Sequence, residues 1–188
     1  DTTIADYPEY LNISITDKCP MKCVMCPHSC NDNIHFQELD IKPDKLHNII
    51  LGAKNVALHG TGETLYCKKL FDYIPDNIPE SCIIGFNTSG QLLSKKNSQK
   101  IVDKNIGWLS FSIDAGTSKT YKKIRGASWT KLWKNIDQLI EIKDDRYRPI
   151  LRANMILMKS NIHEIPLLVK EIAKRNNSGL LAAPFILF

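Results

Sequence analysis

The apolar positions of this chain switch repeatedly between a period of two and a period of 3.6 residues. Tyr10-Leu-Asn-Ile-Ser-Ile-Thr16 alternates as a half-buried strand does. Pro43 to Leu51 carries a helical pattern, with proline near its first turn and Gly52 to close it. Asn55 to Leu58 reads as a short strand running into His59-Gly60-Thr61-Gly62-Glu63. Tyr66 to Tyr73 is expected to be helical and to stop before Pro75. Cys82 to Phe86 reads as a strand that ends at Asn87-Thr88-Ser89-Gly90.

The second half continues in the same way. Ser94 to Lys104 is a helix with Ile101 and Val102 on its apolar face, and Trp108 to Ile113 is a strand ending at Asp114. Ser118 to Ile124 makes a short helix. Trp129 to Ile142 makes a longer one, with Leu132, Trp133, Ile136, Leu139 and Ile140 at helical spacing. Ile150 to Met158 is a strand, Ile162 to Lys174 a helix with Asn161 as its N-cap, and Leu180 onward a final strand.

Strand and helix therefore alternate about six times, an order that demands parallel strands joined by right-handed crossovers. The fold class is α/β. A partial (β/α)6 barrel of parallel strands fits, as does an open doubly wound sheet. The glycine-rich and polar segments follow the strands, at the edge where parallel α/β folds assemble their sites.

Composition narrows the function more than the fold. The chain has 188 residues, enough for a single domain with a real core. Its net charge is +5, but the lysines are scattered, and Lys95-Lys96 and Lys122-Lys123 read as solvated helix faces. Basic clusters interleaved with aromatics are missing, so no nucleic-acid partner is expected. No segment has the length and apolarity of a membrane span, and the N-terminus lacks a secretory pattern. The chain starts at Asp1 and ends in an apolar run at Phe188, so a single core domain, 1–188, cut from a longer chain with a C-terminal extension, is expected.

Six cysteines are present, and four of them, Cys19, Cys23, Cys26 and Cys30, fall within twelve residues. Without a signal peptide, that crowding reads as metal ligation in a reducing, cytoplasmic setting rather than as disulfides. Cys67 and Cys82 stand alone and read as buried thiols. Cys19-Pro-Met-Lys-Cys23-Val-Met-Cys26 spaces three thiols as C-x3-C-x2-C on one loop after the first strand. Three thiolates can hold three irons of a cubane and leave the fourth open, whereas electron-transfer cubanes are closed by four cysteines. A zinc site completed by His28 or Cys30 is the competing reading, since it needs four ligands.

The three-cysteine loop resembles the signature of the radical S-adenosylmethionine (SAM) superfamily. Gly60-Thr61-Gly62-Glu63 resembles the Gly-Gly-Glu element of that family. Ser112-Ile-Asp114 followed by Tyr121-Lys-Lys-Ile-Arg125-Gly126 resembles its SPASM/Twitch branch, which contains peptide maturases and related dehydrogenases. Met158-Lys-Ser-Asn161-Ile-His-Glu164-Ile resembles the stretch after the family's fifth strand.

The resemblance implies a TIM-type partial barrel holding a [4Fe-4S] cluster on Cys19, Cys23 and Cys26. It implies SAM chelated to the open iron, with the amine met along Gly60, Thr61, Gly62 and Glu63 and the carboxylate gripped by Arg125. Ser112 and Asn154 are implied as ribose contacts, and the backbone at Met25 as facing adenine. Reductive cleavage of SAM, an electron donor like flavodoxin or ferredoxin, and hydrogen abstraction from a peptide or sugar-like small-molecule substrate follow, in an oxidoreductase or peptide-modifying enzyme. A glycyl-radical activating enzyme acting on a partner protein and a non-enzymatic zinc module are the other classes. Read alone, Glu63 can be an acid at a helix start, and Asp114 either a cap for the turn at Thr117 or a residue beside the substrate.

Overall fold

The computed structural model describes residues 7–30, 37–175, 180–182 and 186–187. Strands β1 (Tyr10–Asn12), β2 (Asn55–Ala57), β3 (Ile83–Thr88), β4 (Trp108–Ser112), β5 (Ile150–Asn154) and β7 (Leu180–Ala182) pair side by side in chain order, every pair parallel. Between β5 and β7, β6 (Ile156–Leu157) pairs with β8 (Ile186–Leu187) in a separate two-stranded sheet. The helices are α1 (Pro27–Cys30), α2 (Pro43–Gly52), α3 (Lys95–Asp103), α4 (Ser118–Arg125), α5 (Trp129–Lys143) and α6 (Ile165–Ala173).

Strand order that never reverses separates the two folds left open by the sequence. Successive right-handed crossovers then wind in one direction and put the helices on one face, as in a barrel. A doubly wound sheet would reverse at a switch point. The sheet is a partial barrel, with β1 and β7 as its edges among the described residues.

Register divides the sheet into two chemically different faces. Residues paired across parallel strands point the same way, and alternate residues point oppositely. Phe86 pairs with Leu109, Leu109 with Leu151, and Phe111 with Ala153; all are buried in the core. A Cβ on Gly90 would meet both Leu132 of α5 and Phe111, which identifies this face as the helix-covered one. The other face carries Asn87 paired with Ser110, Ser110 with Arg152, and Ser112 with Asn154. The interior of the partial barrel is thus polar toward the C-terminal ends of its central strands, with Trp108 and Ile150 on the same face below.

Several elements differ from the sequence expectation, each for a local reason. The strand at Tyr10 leaves the sheet early because residues 15–17 turn to pair with 37–39: Leu39 N–H donates to Ile15 O (2.9 Å) and Asp17 N–H to Gln37 O (2.9 Å). The helix expected over Tyr66–Tyr73 is a 3-10 turn, Thr64–Tyr66, followed by further turns. Leu65, Cys67, Leu70, Tyr73 and Ile74 are all buried there, a spacing that tight i, i+3 turns satisfy and one α-helical stripe does not. The strand expected over Ile150–Met158 breaks at Met155, since Ile156 N–H donates to the Asp114 carboxylate (2.6 Å).

Asn161 is not the side-chain cap expected of it. It is fully buried, accepts from Met158 N–H (2.7 Å) and donates to the carbonyls of Ile156 (2.8 Å) and Asp114 (3.0 Å). Nor does Asp114 cap the turn at Thr117; Thr117 does so itself, accepting from Thr120 N–H (3.3 Å). The α4 helix ends on Gly126 in the left-handed region (φ 68°), where a glycine carries no Cβ penalty. Cys67 and Cys82 are buried free thiols, as expected. No helix among the described residues is long and apolar enough to cross a membrane.

Glu164 fastens α4 to α6. Its buried carboxylate accepts from Gly116 N–H (2.7 Å), Thr117 N–H (3.1 Å), Thr117 Oγ1 (2.9 Å) and Thr120 Oγ1 (2.5 Å). Burial pushes this carboxyl up, but the donors outweigh it and hold it below the usual glutamate value. A lowered folded pKa gives stability that is present above the unfolded value, about 4.3, and is lost as pH falls through the folded one. Glu164→Gln is therefore expected to cost about 1–3 kcal/mol at pH 7 and to flatten the acid limb of stability against pH, measured by denaturant unfolding.

Candidate active site

The cysteine loop is held from two sides. Val24 N–H donates to the carbonyl of Ile124 in α4 (2.9 Å), and Glu63 N–H donates to the carbonyl of Lys18 (2.9 Å). The loop tightens between its last two cysteines, where Cys26 N–H donates to Cys23 O (3.1 Å), and α1 begins at the next residue. Gly60 and Gly62 allow this packing. A Cβ on Gly62 would lie 2.2 Å from the Thr16 carbonyl oxygen and one on Gly60 would lie 1.9 Å from Ser14 Oγ. The glycines thus let this edge approach the lead-in to the cysteines, in addition to facing the cavity.

A cavity of about 270 Å³ opens at the strand ends, lined by Cys19, Cys23 and Cys26, by Met21 and Met25, and by Gly60, Thr61, Gly62 and Glu63. Its far wall is Asn87, Thr88, Ser89, Ser112, Arg125 and Ile156. Ten of the eleven residues expected from the sequence therefore line this one cavity; Asn154 does not. The Asn154 side chain instead donates to Ser110 Oγ, its neighbour on the polar face. Asn87, Thr88 and Ser89 were not among the expected contacts. Their position at the end of β3 is the signal, since parallel folds place sites there.

Glu63 caps the 3-10 turn by accepting from Leu65 N–H (3.3 Å), so its reading as an acid at a helix start is correct. It also accepts from Thr88 Oγ1 (2.6 Å) and, on its other oxygen, from Ser89 N–H (2.7 Å). Three donors leave room for one more, because a carboxylate has about four lone-pair sites. Thr61 is tied down by donating from Oγ1 to Asp17 (2.7 Å).

Arg125 is buried on the opposite side. Its Nε sits 2.7 Å from Asp114 Oδ2, in an ion pair whose N–H points off the line of contact. Its Nη1 donates to the sulfur of Cys23 (3.1 Å). Nη2 makes no bond among the described residues. Burial works against the guanidinium charge, but Asp114 and Cys23 outweigh it and raise the arginine further. Asp114 is pushed up by burial, with Arg125 opposing.

The thiols suit an iron–sulfur cluster. Burial, together with Glu63, Cys23 and Cys26 nearby, pushes Cys19 up to about 11. Acidic groups crowded this way favour a cationic centre, which ligation supplies in place of the proton. No group of three or more His, Cys, Asp and Glu among the described residues is gathered as a single metal ion requires, and His28 is not on the cavity wall. The three cysteines line a cavity with room for a group larger than a single ion.

A parallel partial barrel with a three-thiol loop and an acid–arginine pair at its strand ends defines an α/β core built around an iron–sulfur centre. The sequence model of the Radical SAM superfamily matches residues 13–172, and the chain belongs to that superfamily. The family uses a [4Fe-4S] cluster and SAM. Among curated proteins, a probable GTP 3',8-cyclase of Methanococcus maripaludis is 28% identical over 162 residues, covering 82% of this chain and 51% of its own. A GTP 3',8-cyclase of Clostridium perfringens is 30% identical over 142 residues, covering 71% and 43%. The chain spans about half the length of the curated relatives it matches.

Among solved structures, Streptococcus suis SuiB bound to S-adenosylmethionine superposes with a TM-score of 0.70 at 18% identity, covering 96% of this chain and 40% of that one. The protein anSMEcpe with bound AdoMet gives 0.67 at 17%, covering 96% and 50%. These likenesses establish the fold.

Gly62→Ala is expected to destabilise the chain by about 1–3 kcal/mol, because the atoms it would meet are backbone and cannot swing aside. Denaturant unfolding of the cluster-free protein measures this.

Proposed function

We propose that this chain is the catalytic core of a radical SAM enzyme. One observation carries the reading: Cys19, Cys23 and Cys26, Glu63 and Ser112, from the segments at three strand ends, and Arg125, from the end of α4, reach one cavity. The cysteines would hold three irons. When bound, the cluster supplies one electron to SAM, whose S–C5′ bond breaks to give methionine and a 5′-deoxyadenosyl radical that takes a hydrogen atom from substrate.

The chain's own residues bind and orient. Glu63 accepts from the SAM amine with its remaining lone pair. Arg125, through Nη2, meets the carboxylate, as guanidinium groups do well. Ser112 serves the ribose from the polar face, and Asn87 beside it is a better second contact than Asn154, whose amide is committed to Ser110. The Met25 backbone meets the adenine. A flavodoxin- or ferredoxin-like protein supplies the electron.

A sugar-bearing small molecule is the better-supported substrate class. The curated relatives that match most of this chain are named GTP 3',8-cyclases, and GTP carries a ribose. A peptide side chain is the second reading, carried by the Ser112–Asp114 and Arg125 pairing that resembles the SPASM/Twitch branch.

Anaerobic reconstitution tests the proposal. Iron and sulfide in cubane proportion are expected, with a cluster spectrum that changes on adding SAM and 5′-deoxyadenosine formed with dithionite. Zinc alone, or a cluster blind to SAM that yields no 5′-deoxyadenosine, would refute it. Cys23→Ala is expected to abolish all three signals. Arg125→Ala is expected to keep iron while weakening SAM binding about 10–100-fold, the loss of one charge-assisted contact.

A further inference from the structure

The contact between Arg125 and Cys23 is not explained by SAM binding. A side chain that only waited for a carboxylate would point its terminal nitrogens at open space. Instead one of them donates to a cysteine sulfur at 3.1 Å, and Nε is anchored on Asp114 at 2.7 Å. All three groups are withdrawn from water: Cys23 is 4% exposed, the Arg125 side chain 12% and the Asp114 side chain 1%. Of the three loop cysteines, Cys23 alone is classed as buried.

Asp114 is held in turn. It sits at φ 57°, a conformation that few residues other than Gly, Asn and Asp adopt readily. Its other carboxylate oxygen accepts from Ile156 N–H, and its carbonyl accepts from Asn161. The end of β4, the break after β5 and the turn before α6 together fix the carboxylate that fixes the guanidinium.

We infer that Arg125 has a second job, as the resident hydrogen-bond donor to an iron-ligating sulfur, with Asp114 as its positioning residue. A thiolate bound to iron keeps lone pairs that accept from N–H. Such donors favour the more electron-rich, reduced cluster and raise its reduction potential. Low surrounding polarity strengthens the effect. Arg125 thus sets how readily the cluster is reduced, separately from how tightly SAM is held. The inference rests on the reading of Cys19, Cys23 and Cys26 as cluster ligands.

The test is the midpoint potential of the reconstituted cluster, without SAM, at matched iron and sulfide content. The key variant is Asp114→Asn with Arg125→Met. It removes one negative and one positive charge, so the net charge is unchanged. Asparagine keeps an acceptor for Ile156 N–H and tolerates positive φ. The inference expects a potential more negative than wild type; an unchanged potential overturns it.

Arg125→Lys is the second variant. It keeps the charge, but one compact ammonium cannot fork between Asp114 and the sulfur as a guanidinium does. A smaller negative shift is expected, and wild-type potentials in both variants would overturn the inference. Variants that hold no cluster while the wild type does would make Arg125 a scaffold residue and overturn it as well. A wild-type chain that assembles no cluster refutes the radical SAM reading itself, a different result from full loading with unshifted potentials.

Discussion

The buried ion pair between Asp114 and Arg125 is the constraint on which the site depends. Both partners lie in the first part of the β4–β5 crossover, at either end of its first helix: Asp114 just past β4, Arg125 in the last turn of α4. Burying both charges is costly, and the attraction repays that cost only when the remaining polar atoms are also satisfied. Here Ile156 N–H takes the second Asp114 oxygen and the Cys23 sulfur takes one Arg125 nitrogen, but the Nε–H points off the Asp114 oxygen, so the pair is only partly satisfied. The pair therefore contributes registry more than stability. It fixes where β5 ends, how α4 lies over the strand ends, and which cysteine faces a cation.

The same crossover is pinned from its other side. Glu164 gathers the turn that follows Asp114 and the first turn of α4, through Gly116, Thr117 and Thr120. Across the cavity, Glu63 does similar work by joining its own turn to the end of β3 at Thr88 and Ser89. Two carboxylates thus organise backbone N–H groups, while a third holds the arginine. The cysteine loop is located by two backbone hydrogen bonds, Glu63 N–H to Lys18 O and Val24 N–H to Ile124 O.

Much of this is legible in the sequence because it is local. Alternation marks the strands, and Gly52 and Ser94 mark helix ends. Spacing marks the three cysteines, and strand ends collect the polar segments. What is not legible depends on partners far along the chain. Nothing near Asn154 shows that Ser110 will occupy its amide, 44 residues away. Nothing near Met155 shows that a carboxylate 42 residues earlier will claim Ile156 N–H and break an apolar run that reads as one strand. The segment after Glu63 has apolar residues enough for a helix, but its close approach to Lys18 sets the turn from which it starts. Register is the other missing piece. Only the pairing of Asn87 with Ser110, and of Ser112 with Asn154, reveals a single polar face.

That polar face bears on substrate choice. The residues proposed for radical generation, the cysteines, Glu63 and Arg125, all line the cavity at the rim. Hydrogen abstraction needs a second molecule brought near the same rim, and the interior of the partial barrel lies directly below it. Asn87, Ser110, Ser112 and Arg152 supply hydroxyl, amide and guanidinium groups along that interior. Arg152, however, lies over the Trp108 ring, 5.4 Å from its centroid, and is exposed. A ligand with several hydroxyls matches such a wall better than an apolar side chain does, because each buried polar group needs a partner.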